Sequence, residues 1–286
     1  MNEAAPIFVG GLDHSGKTAL RAALGAHPRI TMVRHIELWT RLRGWHAAGP
    51  GGRTRVLEAL TTGRAARLEL DPERLSRSAS GSFADLVREL GRQLCVRAGT
   101  SRWGLQEALL EFEADQVLRD LRDARIIGLV RDPRHRFLEM RASGALGRGG
   151  LAAETAAWAA SARASIAAAE ARPEAFRVLR YEALVDQPEA TLRDLCAFIG
   201  EPFDAAMAAH VPARSDPGTL PERDTTFIQE RAAPEMAMLG YGLLPTGPRT
   251  DGLPHRLADA SRWQLGRLSW RRRSRHLRPS LASKRG

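Results

Sequence analysis

The stretch Ile7-Phe8-Val9-Gly10-Gly11-Leu12-Asp13-His14-Ser15-Gly16-Lys17-Thr18 decides how the rest of the chain is read. It opens as a short apolar run ending in glycines, the pattern of a buried strand. Thr18 to Ala26 then has the alanine and leucine content of a helix that stops near His27-Pro28. Between strand and helix stand a glycine, four residues and Gly-Lys-Thr. Glycines let the main chain curl round an anion, successive N–H groups point inward, and the helix start adds the positive end of its dipole. Gly11, Asp13, His14, Ser15, Gly16, Lys17 and Thr18 are therefore the expected loop for phosphate or sulfate, with His14 and Lys17 flanking the anion.

Lys17 stands out against the composition. The net charge of +10 is carried almost wholly by arginine, and the 286 residues include lysine only at Lys17 and Lys284. A lysine in this loop points to a need for a compact point charge. The basic balance calls for acidic partners, among which charge alone does not choose. Cys95 and Cys196 have no metal-ligand or redox spacing around them and read as reduced core thiols of a cytoplasmic protein. No secretory signal is expected from Met1 to Ala5, and no uncharged run has the length a bilayer requires.

Outward from the loop, strands and helices alternate. Ile30 to Val33 reads as a strand, Glu37 to Trp45 as a helix, and residues 53–98 as an inserted helical layer. Leu105 to Leu121 has the periodicity of an amphipathic helix. The nearly all-apolar run from Ile126 to Val130 reads as a central strand buried on both faces. An alanine-rich helix over 151–171, a strand at Phe176 to Leu179 and a helix from Pro188 to Ile199 follow. The expectation is a three-layer α/β/α fold with a central parallel sheet and a P-loop-type phosphate loop. It spans residues 1–242 with a helical insertion near 50–100, and 243–286 form a linker and a basic C-terminal helix or arm.

The opening segment, continued by Leu20, Leu24 and His27-Pro28-Arg29-Ile30, resembles that of bacterial-type sulfotransferases that use 3′-phosphoadenosine-5′-phosphosulfate. Two further segments resemble the family in order. One is Val130-Arg131-Asp132-Pro133-Arg134 after its strand. The other is Val178-Leu179-Arg180-Tyr181-Glu182-Ala183-Leu184, continuing through Pro188-Glu189-Ala190-Thr191-Leu192 to Phe198-Ile199-Gly200-Glu201-Pro202-Phe203. The resemblance implies that His14 to Thr18 hold the 5′-phosphosulfate and that Arg131 reaches the 3′-phosphate, a task suited to a planar, two-pronged donor. It also implies sulfuryl transfer to a hydroxyl or amine, with His14 and Lys17 stabilising developing charge and Glu37 as general base, His35 standing second. No metal is required by that chemistry.

The chain departs from the family pattern in places. His14 stands where a lysine or arginine is usual, and Lys17 replaces a threonine. Glu139 and Met140 occupy the stretch after Arg131 where a phosphate-binding serine is expected, Ser143 coming later. Leu105-Gln106-Glu107 follows Trp103-Gly104 in place of Asp-Lys-Thr, so a polar catalytic-site contribution from that segment is expected to be lost.

Two other readings share the loop. An ATP- or GTP-dependent kinase would use Thr18 as a magnesium ligand and needs an acidic partner, for which Asp132 is the imperfect candidate. A non-catalytic nucleotide-binding relative is suggested by Glu139. Arg131 has the alternative of pairing with Asp132, and Glu37 that of capping its helix.

The acceptor class stays open between small molecule, carbohydrate and lipid. Beyond Gly242 a Gly- and Pro-rich linker leads to a basic segment that ends in Arg271-Arg272-Arg273-Ser274-Arg275-His276-Leu277-Arg278. Trp263, Leu265, Leu268 and Trp270 among these arginines suggest peripheral contact with an anionic membrane at its inner face. The alternative is a helix that packs its tryptophans on the domain. Nucleic acid ranks lower, because no recognised binding module is present.

Overall fold

Ile7–Gly10 forms β1, all four of whose residues are buried. In the computed structural model, which describes residues 4–34, 36–147, 149–214, 218–247 and 253–277, β1 is the middle strand of a five-stranded sheet. The other strands are β2 (Ile30–Arg34), β3 (Arg102–Gln106), β4 (Arg125–Val130) and β5 (Phe176–Arg180). The order is β2-β3-β1-β4-β5 and every pairing is parallel. The chain runs to β2 and β3 on one side of β1 and then crosses to β4 on the other. The crevice beyond the carboxyl ends of β1 and β4 is thus a topological switch point, where open α/β sheets hold ligands.

The helices in chain order are α1 (Lys17–Gly25), α2 (Arg43–Ala47), α3 (Pro50–Thr61), α4 (Pro72–Ala79), α5 (Phe83–Ala98), α6 (Ala114–Asp120), α7 (Pro133–Ala142), α8 (Gly150–Ala171), α9 (Tyr181–Asp186), α10 (Pro188–Ile199), α11 (Glu222–Met238) and α12 (Leu253–Leu277). Alternation along the central strands splits the core between them. Ile7, Val9, Ile127 and Leu129 pack with Leu20 and Leu24 of α1 and Leu192 and Leu195 of α10. Phe8 and Ile126 point the other way, into the layer built by α3, α4 and α5. Phe8 is fully buried between Trp39 and Trp103, with ring centroids 4.7 and 5.6 Å away. This is the expected three-layer architecture with its helical insertion.

Local chemistry sets the element ends. Ser82 and Asp85 form a reciprocal capping box at the start of α5, which stops at Gly99 in the left-handed conformation. Asp132 caps α7 by accepting from the Arg134 amide at 2.9 Å.

One segment differs from the sequence expectation, and at the C-terminus one of two expected alternatives is realised. Leu105 lies in β3, which pairs with both β1 and β2, and the helix starts only at Ala114 after a 3₁₀ turn at Leu110–Phe112. β3 escapes recognition because it begins with Arg102, holds Gly104 and is followed by polar residues. Arg102 is nevertheless buried, paired with Glu201 at 3.2 Å and donating to the Ile199 carbonyl. The C-terminal basic segment is a helix docked along α8. Trp270 is buried and Trp263 half-buried against the cluster that includes Phe227 and Trp158. The expected linker is described up to Gly247 and again from Leu253, and Arg278 lies outside the described residues.

Candidate functional site

The loop leaves β1 through Gly11 (φ +118°), passes His14 (φ +62°) and enters α1 through Gly16 (φ +94°). A side chain is excluded at both glycines. A Cβ on Gly11 would sit 2.3 Å from the Leu129 carbonyl oxygen, and one on Gly16 would sit 2.1 Å from the Tyr181 ring. His14 takes a left-handed conformation that non-glycine residues rarely adopt. Among the described residues, no acceptor is found for the amides of His14, Gly16, Lys17 or Thr18. These are the donors that a helix start leaves to an anion.

Lys17 is buried, and its ammonium donates to the carbonyls of Gly11 (2.9 Å) and Leu12 (2.5 Å) with Asp13 Oδ1 at 3.6 Å. The rare lysine therefore crosslinks the loop from beneath. Burial pushes its pKa down while Asp13 and then Glu111 oppose the shift. Glu111 is buried too and ties the loop from the other side, accepting from the Gly11 amide at 2.9 Å and from Ser161 Oγ at 2.5 Å. Ser15 Oγ is buried without a hydrogen-bond partner among the described residues. Thr18 is exposed on the first turn of α1.

Arg131 follows the end of β4 and points at the loop, donating to the His14 carbonyl at 3.4 Å. Its guanidinium lies 4.6 Å over the Tyr181 ring, which covers Gly16, and the Trp158 indole donates to its carbonyl at 2.8 Å. Tyr181 is thus part of the loop's surroundings as well as of the sheet edge. The alternative pairing of Arg131 with Asp132 is not made. Asp132 is held by Arg134 at 2.6 Å and caps α7, so its carboxylate is committed away from any metal. Arg131 pairs with Glu139, whose second oxygen lies 3.5 Å from His14 Nδ1. The departure from the family pattern at residue 139 is therefore structural: a carboxylate already bridges the two groups nearest the loop's outer face. Burial, followed by the Arg136 charge, lowers the His14 pKa from its ordinary value. The lowering withdraws His14 as a source of positive charge at neutral pH, and the guanidinium groups of Arg131 and Arg136, each paired with a carboxylate, remain beside the loop.

Arg136, missed in the sequence, is buried; it donates to the Asp13 carbonyl at 2.8 Å and to Glu154 at 2.9 Å. It also lines a cavity of 640 Å³ at the loop's flank, together with Asp13, His14, Glu37, Arg41, Trp45 and Trp270. Glu37 belongs to this cavity and is ion-paired with Arg41 at 2.9 Å. Its own side chain makes no capping hydrogen bond to the segment that follows it among the described residues. That task falls to Glu107, which accepts from the amides of Trp39 (3.1 Å) and Thr40 (2.8 Å) and from Thr40 Oγ1 (2.7 Å). The polar role of the segment after Trp103-Gly104 is thus architectural. Burial pushes the Glu107 carboxyl up to about 7 against the pull of those hydrogen bonds. Glu107 and Glu111 lie four apart in a stretch that also holds Leu105, Leu109, Leu110 and Phe112, the one signal that could have marked them as inward-facing. His35 lies outside the described residues. No group of three His, Cys, Asp or Glu side chains among the described residues is placed to hold a metal.

A parallel sheet with a glycine loop at its central strand and a polar cavity at that strand's carboxyl end defines a P-loop-like α/β fold. The "Sulfotransferase family" profile matches residues 6–205, and the chain belongs to that family. The fold is similar to that of the sulfotransferase domain from the curacin biosynthetic pathway, at 19% identity and a TM-score of 0.54, covering 84% of this chain and 99% of that one. It is similar also to the sulfotransferase domain of the Synechococcus PCC 7002 olefin synthase, at 21% identity and a TM-score of 0.54, covering 86% and 98%. No match was found among curated proteins.

Proposed function

We propose that the chain transfers a sulfuryl group from 3′-phosphoadenosine-5′-phosphosulfate to a hydroxyl or amine acceptor held in the cavity of 640 Å³. The carrying observation is that Asp13 and His14 belong at once to the anion loop and to the cavity wall, so a group held by the loop borders the acceptor space. The chemistry of the donor set fits a phosphosulfate: amides without acceptors, a buried ammonium and two arginines. The donor would supply an activated sulfuryl group for in-line transfer.

The roles of the residues follow. The amides from His14 to Thr18 hold the 5′ end, and Lys17 neutralises charge that grows on the loop's ligand. Arg131 serves the 3′-phosphate by exchanging Glu139 for it. Glu37, beside Arg41 in the cavity, takes the acceptor's proton. Trp45 and Trp270 supply apolar walls for the acceptor. Neither Cys95 nor Cys196 is in a disulfide, which supports a reducing, cytoplasmic setting.

Calorimetry with 3′,5′-adenosine bisphosphate tests the reading. Metal-independent binding is expected, with turnover of labelled phosphosulfate donor falling about a hundredfold in Lys17→Ala at saturating donor. Absence of bisphosphate binding, or ATP binding that needs magnesium, would overturn it. The Glu139–Arg131 pair also favours a binding-only relative. Bisphosphate binding without transfer to any of a broad acceptor panel would select that reading instead.

A further inference from the structure

Helix α12 has two chemically different faces. Asp259 and Trp270 are buried and Trp263 is half-buried on the inner face, where Asp259 pairs with Arg223 and Gly266 is pressed against Ala152 of α8. On the outer face Leu257, Leu265 and Leu268 are 61%, 67% and 49% exposed. At 3.6 residues per turn these leucines share an arc of about 80°. By the same count the exposed Arg272 falls within that arc, and the exposed Arg271 and Arg267 lie about 40° and 80° beyond its edge. The sequence of α12 contains seven arginines and one acid, and that acid is the inward-facing Asp259.

This face needs a partner that is both apolar and anionic. A second copy of the chain would bring arginine against arginine around the leucines. A nucleic acid would satisfy the guanidinium groups and leave the leucines in contact with sugar, phosphate and water. An anionic bilayer meets both demands, phosphate headgroups for the arginines and the acyl boundary for the leucines. None of the described helices is long and apolar enough to cross a membrane, so the contact is peripheral.

We propose that α12 docks the protein on anionic lipid bilayers through Leu257, Leu265 and Leu268, with Arg267, Arg271 and Arg272 gripping the headgroups. The tryptophans of this segment, turned inward, take no part in the insertion. Trp270 instead lines the acceptor cavity, only two residues from Leu268, so one helix joins the docking surface to the cavity wall. The docking stands apart from the sulfuryl-transfer reading, because it rests on a surface and is measured without turnover.

The test is sedimentation of the full-length protein with phosphatidylcholine vesicles that contain or lack phosphatidylglycerol. Pelleting is expected only with phosphatidylglycerol, and it should fall severalfold between low and high salt as the arginines are screened. Leu265→Asp with Leu268→Asp should reduce it by about fivefold or more, and Arg267→Gln with Arg271→Gln and Arg272→Gln by a similar factor. Failure of the wild type to pellet at low salt would overturn the proposal, and so would pelleting that is indifferent to the leucine pair. Concentration-dependent dimers in light scattering, lost in the leucine variant while vesicles are ignored, would assign the face to a second copy. Retention of random-sequence duplex DNA by wild type and leucine variant alike, again without vesicle binding, would assign it to nucleic acid. The salt series and the arginine variant keep the test decisive should the leucine variant lose thermal stability.

Discussion

Glu139 carries the most consequence of any single side chain. Its carboxylate holds Arg131 and lies beside His14, so an anion seeking Arg131 must displace one already there. A charge-assisted hydrogen bond is worth about 1.5–3 kcal/mol, and the near half-exposure of Glu139 puts this one at the lower end. Glu139→Gln should therefore tighten binding of 3′,5′-adenosine bisphosphate by about tenfold in calorimetry. Weaker binding in the variant would mean that Glu139 positions Arg131 and does not compete for it.

Glu107 gives a pH signature. Its folded carboxyl is raised by burial to about 7, above the ordinary value of 4.5. Between those two pH values the folded state keeps a proton that the unfolded chain releases, so its contribution to stability falls as pH rises. The loss is complete above the folded value and amounts to roughly 3 kcal/mol. Glutamine retains an oxygen for Thr40 and Trp39 and carries no charge. The stability of Glu107→Gln relative to wild type, from urea midpoints, should therefore rise from pH 5 to pH 8. A flat difference would show that the hydrogen bonds from Trp39 and Thr40 hold the carboxylate ionised throughout.

At the scale of elements, α12 is the sharpest test, because two effects oppose each other at Gly266. Alanine in a helix interior gains about 1 kcal/mol over glycine. Yet a Cβ there would lie 2.6 Å from the Ala152 carbonyl carbon and 2.7 Å from its Cβ, and forced overpacking costs about 1–3 kcal/mol. Gly266→Ala should thus lower the melting temperature, and it should weaken acceptor binding by shifting Trp270 in the cavity wall. A variant more stable than wild type would place α12 away from α8. The inward turn of Trp263 and Trp270 follows from their spacing with Gly266, three and four residues apart, and decides between the two readings the sequence left open. β3 was hidden differently. Its apolar content is too small to announce a strand, and its neighbours β1 and β2 supply the burial that makes one.

For the molecule as a whole, the loop pattern and the apolar runs of β1 and β4 were legible because their chemistry is local: glycines where a side chain cannot fit, and strands buried on both faces. Those features determined the fold class, the place of the anion loop and the choice of Arg131 as its neighbour. The sequence by itself could not pair Arg131 with Glu139, bring Arg136 to the Asp13 carbonyl or set Glu37 and Trp270 around one cavity. Each of these joins residues that sequence spacing does not bring together, and only the parallel sheet with its docked helices brings them to one place. Tertiary structure also decided which buried carboxylates serve the architecture, since burial and hydrogen-bond supply depend on neighbours contributed by distant elements.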